Sequence, residues 1–169
     1  MFSRGLTRMN TDVYNGQKNG QTPVNIDQES RHRNGARNRI GVMKHEATTE
    51  EIIGVFFDVY NELGHGFLES VYEGSMAIAL REAGHKVIHQ APIAVYFRGQ
   101  LVGDFRADLL VDDDGIVEVK AARAIEPAHE AQLLNYLRAT RIEVGLLMNF
   151  GPKAEFKRFI FDNDRKDHR

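Results

Sequence analysis

Apolar residues along this chain follow two different periods, and the change from one to the other organises it. Ile52, Val55, Phe56, Val59, Tyr60 and Leu63 recur at helical spacing, which predicts an amphipathic helix. Its start is expected at Thr48, where Thr48-Thr49-Glu50-Glu51 fits a capping box. Gly64-His65-Gly66 breaks that helix, and a second one is predicted over residues 68–83, with Gly84 placed to end it. The pattern then turns strand-like. Residues 86–90 and 93–97 read as strands, Pro92 implies an edge or a bend, and Arg98-Gly99 turns the chain into a strand over 101–111. Asp112-Asp113-Asp114-Gly115 reverses it into residues 116–121. Pro127 stands where a first helical residue belongs, and Ala131, Leu133, Leu134 and Leu137 give the following helix an apolar face to about Thr140. Residues 144–150 and 156–161 complete the set as strands around Gly151-Pro152. The expected class is α/β.

Upstream of Thr48 neither period is present. Residues 1–44 are rich in Asn, Gly, Gln and Arg with scattered apolar residues, so a disordered basic tail is expected there. Arg31-His32-Arg33 and Arg37-Asn38-Arg39 read either as a nucleic-acid-binding arm or as a solvated tail, and Met43 is an alternative start of translation. The globular domain is expected over residues 45–163 and a short C-terminal tail over 164–169. Composition refines this picture. Among 169 residues, 42% are hydrophobic and 27% charged, which fits one globular domain and excludes collagen-like, fully disordered and membrane classes. No run of about 18 apolar residues occurs, so no membrane partner is expected. The chain has no cysteine; that removes thiolate ligands and disulfides and agrees with a cytoplasmic setting. The net charge of −2 conceals an asymmetry: residues 1–44 hold eight Lys and Arg against three acids, and the rest is −7. An acidic domain suits a nucleic-acid ligand only where positive charge is local or a metal neutralises phosphate.

The hairpin around the Asp-rich turn carries the candidate chemistry. Regular alternation puts Phe105, Ala107, Leu109 and Val111 on one face and Asp104, Arg106, Asp108 and Leu110 on the other, with Glu118 and Lys120 alternating against Val117 and Val119. A three-residue loop Asp113-Asp114-Gly115, with Gly115 in the left-handed region, sets Asp108 opposite Lys120 and diagonal to Glu118. A two-residue loop puts Asp108 on the other face. Two carboxylates and a lysine on one face suit phosphodiester cleavage: hard oxygen ligands fit Mg²⁺, with Mn²⁺ as a substitute, and lysine can orient the attacking water or stabilise charge on phosphate. The same residues also fit a solvated sheet face. Glu69 and Tyr72, three apart at the start of the second helix, offer a third carboxylate and a polar aromatic, Glu69 reading equally as an ordinary first-turn acid favoured by the helix dipole. His129, Gln132 and Tyr136 form a polar stripe on the later helix.

Gly66-Phe67-Leu68-Glu69-Ser70-Val71-Tyr72 resembles the signature of the GxxExxY proteins, a branch of the PD-(D/E)XK nuclease superfamily. The resemblance runs from about Thr48 to Phe161 and includes Arg106-Ala107-Asp108-Leu109-Leu110-Val111, Val117-Glu118-Val119-Lys120 and His129-Glu130-Ala131-Gln132-Leu133-Leu134-Asn135-Tyr136. It implies a restriction-endonuclease-like α/β fold, a central mixed sheet flanked by helices. It also implies a Mg²⁺-dependent nuclease acting on DNA, or alternatively RNA. Asp108, Glu118 and Lys120 match the D and (D/E)XK positions, Glu69 the helical acid, and Gln132 with Tyr136 a QxxxY element. Catalysis is thus expected from Glu69, Asp108, Glu118 and Lys120, the three acids holding metal, with Tyr72, Gln132 and Tyr136 binding or positioning substrate. Ala107 stands where the superfamily motif has proline, which supplies neither ligand nor proton. The rival expectations are a non-catalytic nucleic-acid-binding or protein-interaction module that keeps the fold, and a phosphodiesterase for a small nucleotide.

Overall fold

The helical stripe of Ile52, Phe56 and Val59 is buried because a sheet of strands lies beneath it. In a computed structural model, which describes residues 12–14 and 36–166, the elements follow the chain as β1 (Asp12–Tyr14), α1 (Ala36–Leu63), α2 (Glu69–Glu82), β2 (Val87–Phe97), β3 (Gln100–Val111), β4 (Gly115–Lys120), α3 (Pro127–Ala139), β5 (Val144–Phe150), β6 (Ala154–Ile160) and a 3₁₀ turn (Asn163–Arg165). The six strands form one sheet in the order β1-β6-β5-β4-β3-β2. Only β4 and β5 run parallel, as the crossover through α3 requires. The sheet is therefore mixed and flanked by helices, the architecture expected from the sequence.

Two cores fill the layers. On one face α1 and α2 pack Phe56, Tyr72, Met76 and Leu80 against Leu109, Val117, Val119, Met148 and Phe150. On the other, α3 sets Leu133 and Leu137 against Ile116, Leu147 and Phe159. Strand β5 lies between them, and all seven of its residues are buried, which is why it reads as a continuous apolar run.

Three features differ from expectation. Helix α1 begins at Ala36, so the capping box at Thr48 stands inside a helix. No proline interrupts residues 36–63, and good helix formers such as Arg39, Met43 and Lys44 continue the helix backward. The expected tail boundary at residue 44 falls within α1; β1 pairs with β6 from inside the same expected tail; and the remainder of that tail lies outside the described residues, as do residues 167–169. Second, the two strands expected over 86–90 and 93–97 are one, β2, which passes through Pro92 without a break; Pro92 lies on an outer strand, as its missing N–H implied. Third, the Asp-rich loop is Asp112-Asp113-Asp114, with Val111 opposite Gly115. Asp112 and Asp113 occupy the left-handed region, at φ 54° and 58°, in place of Gly115, and Asp114 N–H closes onto the Val111 carbonyl, as a type I′ turn demands. The register thus shifts by two residues and keeps the same faces.

Candidate active site

Strand β4 is where the sheet opens. Its pairing with β3 runs from Val111↔Gly115 to Leu109↔Val117 and stops. Beyond that point the next opposed residues are Asp108 and Glu118, and their side chains take over from the backbone. Val119 N–H donates to Asp108 Oδ2 at 2.8 Å, and Asp108 N–H donates to Glu118 Oε1 at 3.3 Å. The expected alternation along β3 fails at the same place. Ala107 packs in the α3-side core and Leu109 in the α1/α2-side core, whereas residues two apart in a regular strand share a face. On β2, Gln90 opposite this point has φ 54° and is skipped by the register. The irregularity, one residue on each strand with the register unchanged around it, turns both strands over, and the Asp108 carboxylate meets the edge of β4.

Glu118 is fully buried. Its carboxyl is pushed up to about 8 by burial and by the neighbouring Asp108 charge, against partial relief from Lys120 and the Asp108 N–H. Lys120 Nζ lies 3.5 Å from Glu118 Oε2. Asp108 is also raised, chiefly by burial, opposed by the Val119 N–H, and then by the charges of Glu73 and Glu69 against that of Lys120. Two buried carboxyls, both raised chiefly by burial and Glu118 further by the Asp108 charge, with one lysine beside Glu118, form a site short of positive charge. A hard divalent cation fits that donor set.

The remaining expected residues are distributed around this centre. Glu69, in the first turn of α2, is exposed, and its Oε1 accepts a hydrogen bond from Ala121 N–H at 3.3 Å, which ties α2 to the end of β4. Among the described residues, no three His, Asp or Glu side chains converge closely enough to form a metal cage, so Glu69 stands at the rim of the Asp108–Glu118 pair. Tyr72 is fully buried and stacks on Phe150, with centroids 4.2 Å apart. Its hydroxyl donates to the Gly64 carbonyl and accepts from Phe67 N–H. A fully buried ring offers no surface to a substrate, which corrects the substrate-binding half of its expected role: Tyr72 positions the turn before Glu69. Gln132 Nε2 donates to the Tyr136 hydroxyl at 3.0 Å. The pair lines a separate cleft beside α3.

Sequence reasoning passed over Glu73, His89, Gln90 and Asn149. Glu73 lies one helical turn beyond Glu69, accepts hydrogen bonds from Gln90 Nε2 at 2.7 Å and pairs with His89 Nε2 at 3.1 Å, and its charge reaches Asp108. Its i, i+4 relation to Glu69 was the available signal. Asn149 is fully buried and bonds both the N–H and the carbonyl of Ala122 at 2.9 Å, pinning the chain just past Lys120. One amide inside the apolar run of β5 was its signal.

A family model described as the PD-(D/E)XK nuclease superfamily matches residues 46–159. The chain belongs to this superfamily. Members are usually nucleases and typically use divalent metals, which agrees with the charge-poor carboxylate pair of this PD-(D/E)XK chain. No curated protein matches it. Among solved structures, the crystal structure of SSO0001 is similar at a TM-score of 0.40 with 18% identity over 71% of this chain. The chain spans 62% of that structure's length. No described helix is long and apolar enough to cross a membrane.

Proposed function

We propose that this chain is a Mg²⁺-dependent nuclease of the GxxExxY branch that hydrolyses phosphodiester bonds in DNA. The observation that carries the reading is the place where the β3–β4 ladder ends: the backbone bonds give way to Asp108 and Glu118, and a buried lysine stands beside them. A solvated sheet face has exposed, separately hydrated charges; Glu118 is fully buried and Lys120 is 9% exposed. Burial of such groups is costly unless their charge is used or compensated.

In this reading Asp108 and Glu118 hold the metal, and Glu69 adds a carboxylate from the rim. When bound, Mg²⁺ supplies Lewis acidity toward the phosphate and lowers the pKa of water. Lys120 Nζ, held toward Glu118, donates hydrogen bonds to the attacking water or to charge developing on the phosphate. Val119 N–H fixes one oxygen of Asp108 and leaves the other for a ligand. Gln132 and Tyr136 orient the nucleic acid from α3, and Tyr72 keeps Glu69 in place.

The test pairs calorimetric titration of the full-length protein with Mg²⁺ or Mn²⁺ and a cleavage assay on single-stranded and duplex DNA and RNA. Metal binding with hydrolysis of at least one DNA form is expected, and Asp108→Asn and Glu118→Gln should weaken both. A wild type that binds neither ion, or variants that cleave like wild type, overturns the reading and leaves a non-catalytic binding module in its place.

A further inference from the structure

The cleft that Gln132 and Tyr136 line has a charge opposite to that of the domain around it. It lies between the β2–β3 hairpin and α3 and has a volume of about 1320 Å³. Residues 45–169 carry a net charge of −7, yet the cleft walls hold Arg98, Arg138, Arg165 and Lys166 and no Asp or Glu. Arg165 is shared with Asp162 at 3.8 Å, and Lys166 Nζ donates to the Ile142 carbonyl. Among the described residues, Arg98 and Arg138 touch no carboxylate; their guanidinium groups lie instead over the Phe97 and Phe161 rings, at 5.1 Å and 5.5 Å. Cations placed on aromatic faces in a groove free of acids are complementary to a polyanion.

The aromatic residues narrow the choice of polyanion. Tyr96 and Phe105 line the cleft with 60% and 50% of their surface exposed. A duplex conceals the faces of its bases, so it gives such rings nothing to stack on, whereas every unpaired base presents a π-face. None of Asp108, Glu118 and Lys120 lines the cleft, but its α3 wall lies on their side of the sheet. Helix α3 covers the sheet face that holds Ile116, and Glu118 and Lys120 follow Ile116 at two-residue spacing along a strand with regular pairing to β5.

We infer that this cleft binds a single strand of nucleic acid, with unpaired bases stacked on Tyr96 and Phe105 and phosphates met by Arg98 and Arg138. The inference deepens the nuclease reading and rests on it for the fate of the strand, but the binding it asserts is measured without catalysis.

The experiment uses full-length protein, divalent metal withheld by chelator, and the fluorescence anisotropy of labelled oligothymidylate beside a duplex of equal length. Wild type binds the single strand about tenfold or more tightly than the duplex. Tyr96→Ala, at an exposed ring whose removal leaves the core intact, lowers single-strand affinity about tenfold and leaves duplex affinity unchanged. Arg98→Gln with Arg138→Gln lowers affinity for both probes and reduces the slope of log affinity against log salt by about one to two. Equal affinity for the two probes, or a Tyr96→Ala protein that binds oligothymidylate like wild type, overturns the inference. The two readings fail separately: cleavage with no single-strand preference removes the cleft assignment alone, and the expected binding with no hydrolysis in Mg²⁺ or Mn²⁺ removes the nuclease alone.

Discussion

Toward β5, strand β4 is paired along its whole length, from Gly115↔Val144 to Lys120↔Asn149; toward β3 it is paired only as far as Leu109↔Val117. The two flanks of one strand therefore do different work. The β5 flank fixes where Glu118 and Lys120 lie, since both sit in an unbroken ladder at the centre of the sheet and Asn149 clamps the chain immediately beyond them. The β3 flank exposes Val119 N–H and Asp108 N–H to side chains and so makes room for carboxylates inside the sheet. A site built on a rigid element with one open side holds its groups in place and still admits a ligand.

The comparison breaks most clearly at Lys120, which belongs to the rigid flank in position and to the open flank in chemistry. Lys120→Ala should lower cleavage about 10²- to 10³-fold while calorimetry still shows metal binding; near-wild-type turnover would return Lys120 to a structural role. The rigid flank is tested at Asn149, whose removal leaves the Ala122 N–H and carbonyl unpaired. Asn149→Ala should cost about 2–4 kcal/mol in chemical denaturation. Gly151→Ala should act in the same direction, because a Cβ there would stand 2.1 Å from the Ala122 carbonyl oxygen. If both variants unfold like wild type, the β5 flank is not what holds the site.

The open flank has a pH signature. Glu118 has a folded-state value of about 8 against an ordinary 4.5, so between those values the folded chain binds more protons than the unfolded chain. The contribution of Glu118 to stability is thus greatest below about pH 4.5 and is lost as pH rises toward 8, at no more than about 1.4 kcal/mol per pH unit. Metal-free wild type should lose melting temperature across that window relative to Glu118→Gln, and added Mg²⁺ should flatten the difference. Parallel melting curves for the two proteins would show that Glu118 is not held against its charge. The smallest effect is expected at Tyr72→Phe, which keeps the stack on Phe150 and loses the bonds to Gly64 and Phe67. A loss of about 1–2 kcal/mol, with cleavage reduced through the displaced Glu69, is the expected result; a loss of metal affinity greater than that of Glu118→Gln would place Tyr72 in the site itself.

Hydrophobic period carried most of the fold. The second and third helices and strands β3 to β6 lie within a few residues of where apolar spacing puts them, because each buries one face or both. What the sequence concealed is non-local. The unpaired step at Gln90 and Asp108 depends on two strands turning over together, and no alternation pattern on one strand announces that. The turn at Asp112 and Asp113 favoured two aspartates over glycine in the left-handed region, where their side chains find partners: Asp112 accepts from the Lys86 N–H and pairs with His85, and Asp113 pairs with Lys86. For the site, the expected opposition of Asp108 and Lys120 is replaced by Asp108 against Glu118, with Lys120 beside Glu118, whereas Glu73 was not legible because its partners His89 and Gln90 come from another strand.

The same kink at Gln90 bears on how the protein behaves in a crowd. Strand β2 is eleven residues long and forms an outer margin of the sheet, and an extended margin of that length is a template on which a second chain can add a strand. Gln90 twists out of the extended conformation, and Pro92, two residues on, has no N–H to offer. Together they interrupt the regular backbone pattern of that margin, which makes it a poorer template for a neighbour's strand. The irregularity at Gln90 that turns the strands over beside Asp108 thus also helps to guard the outer margin of the sheet.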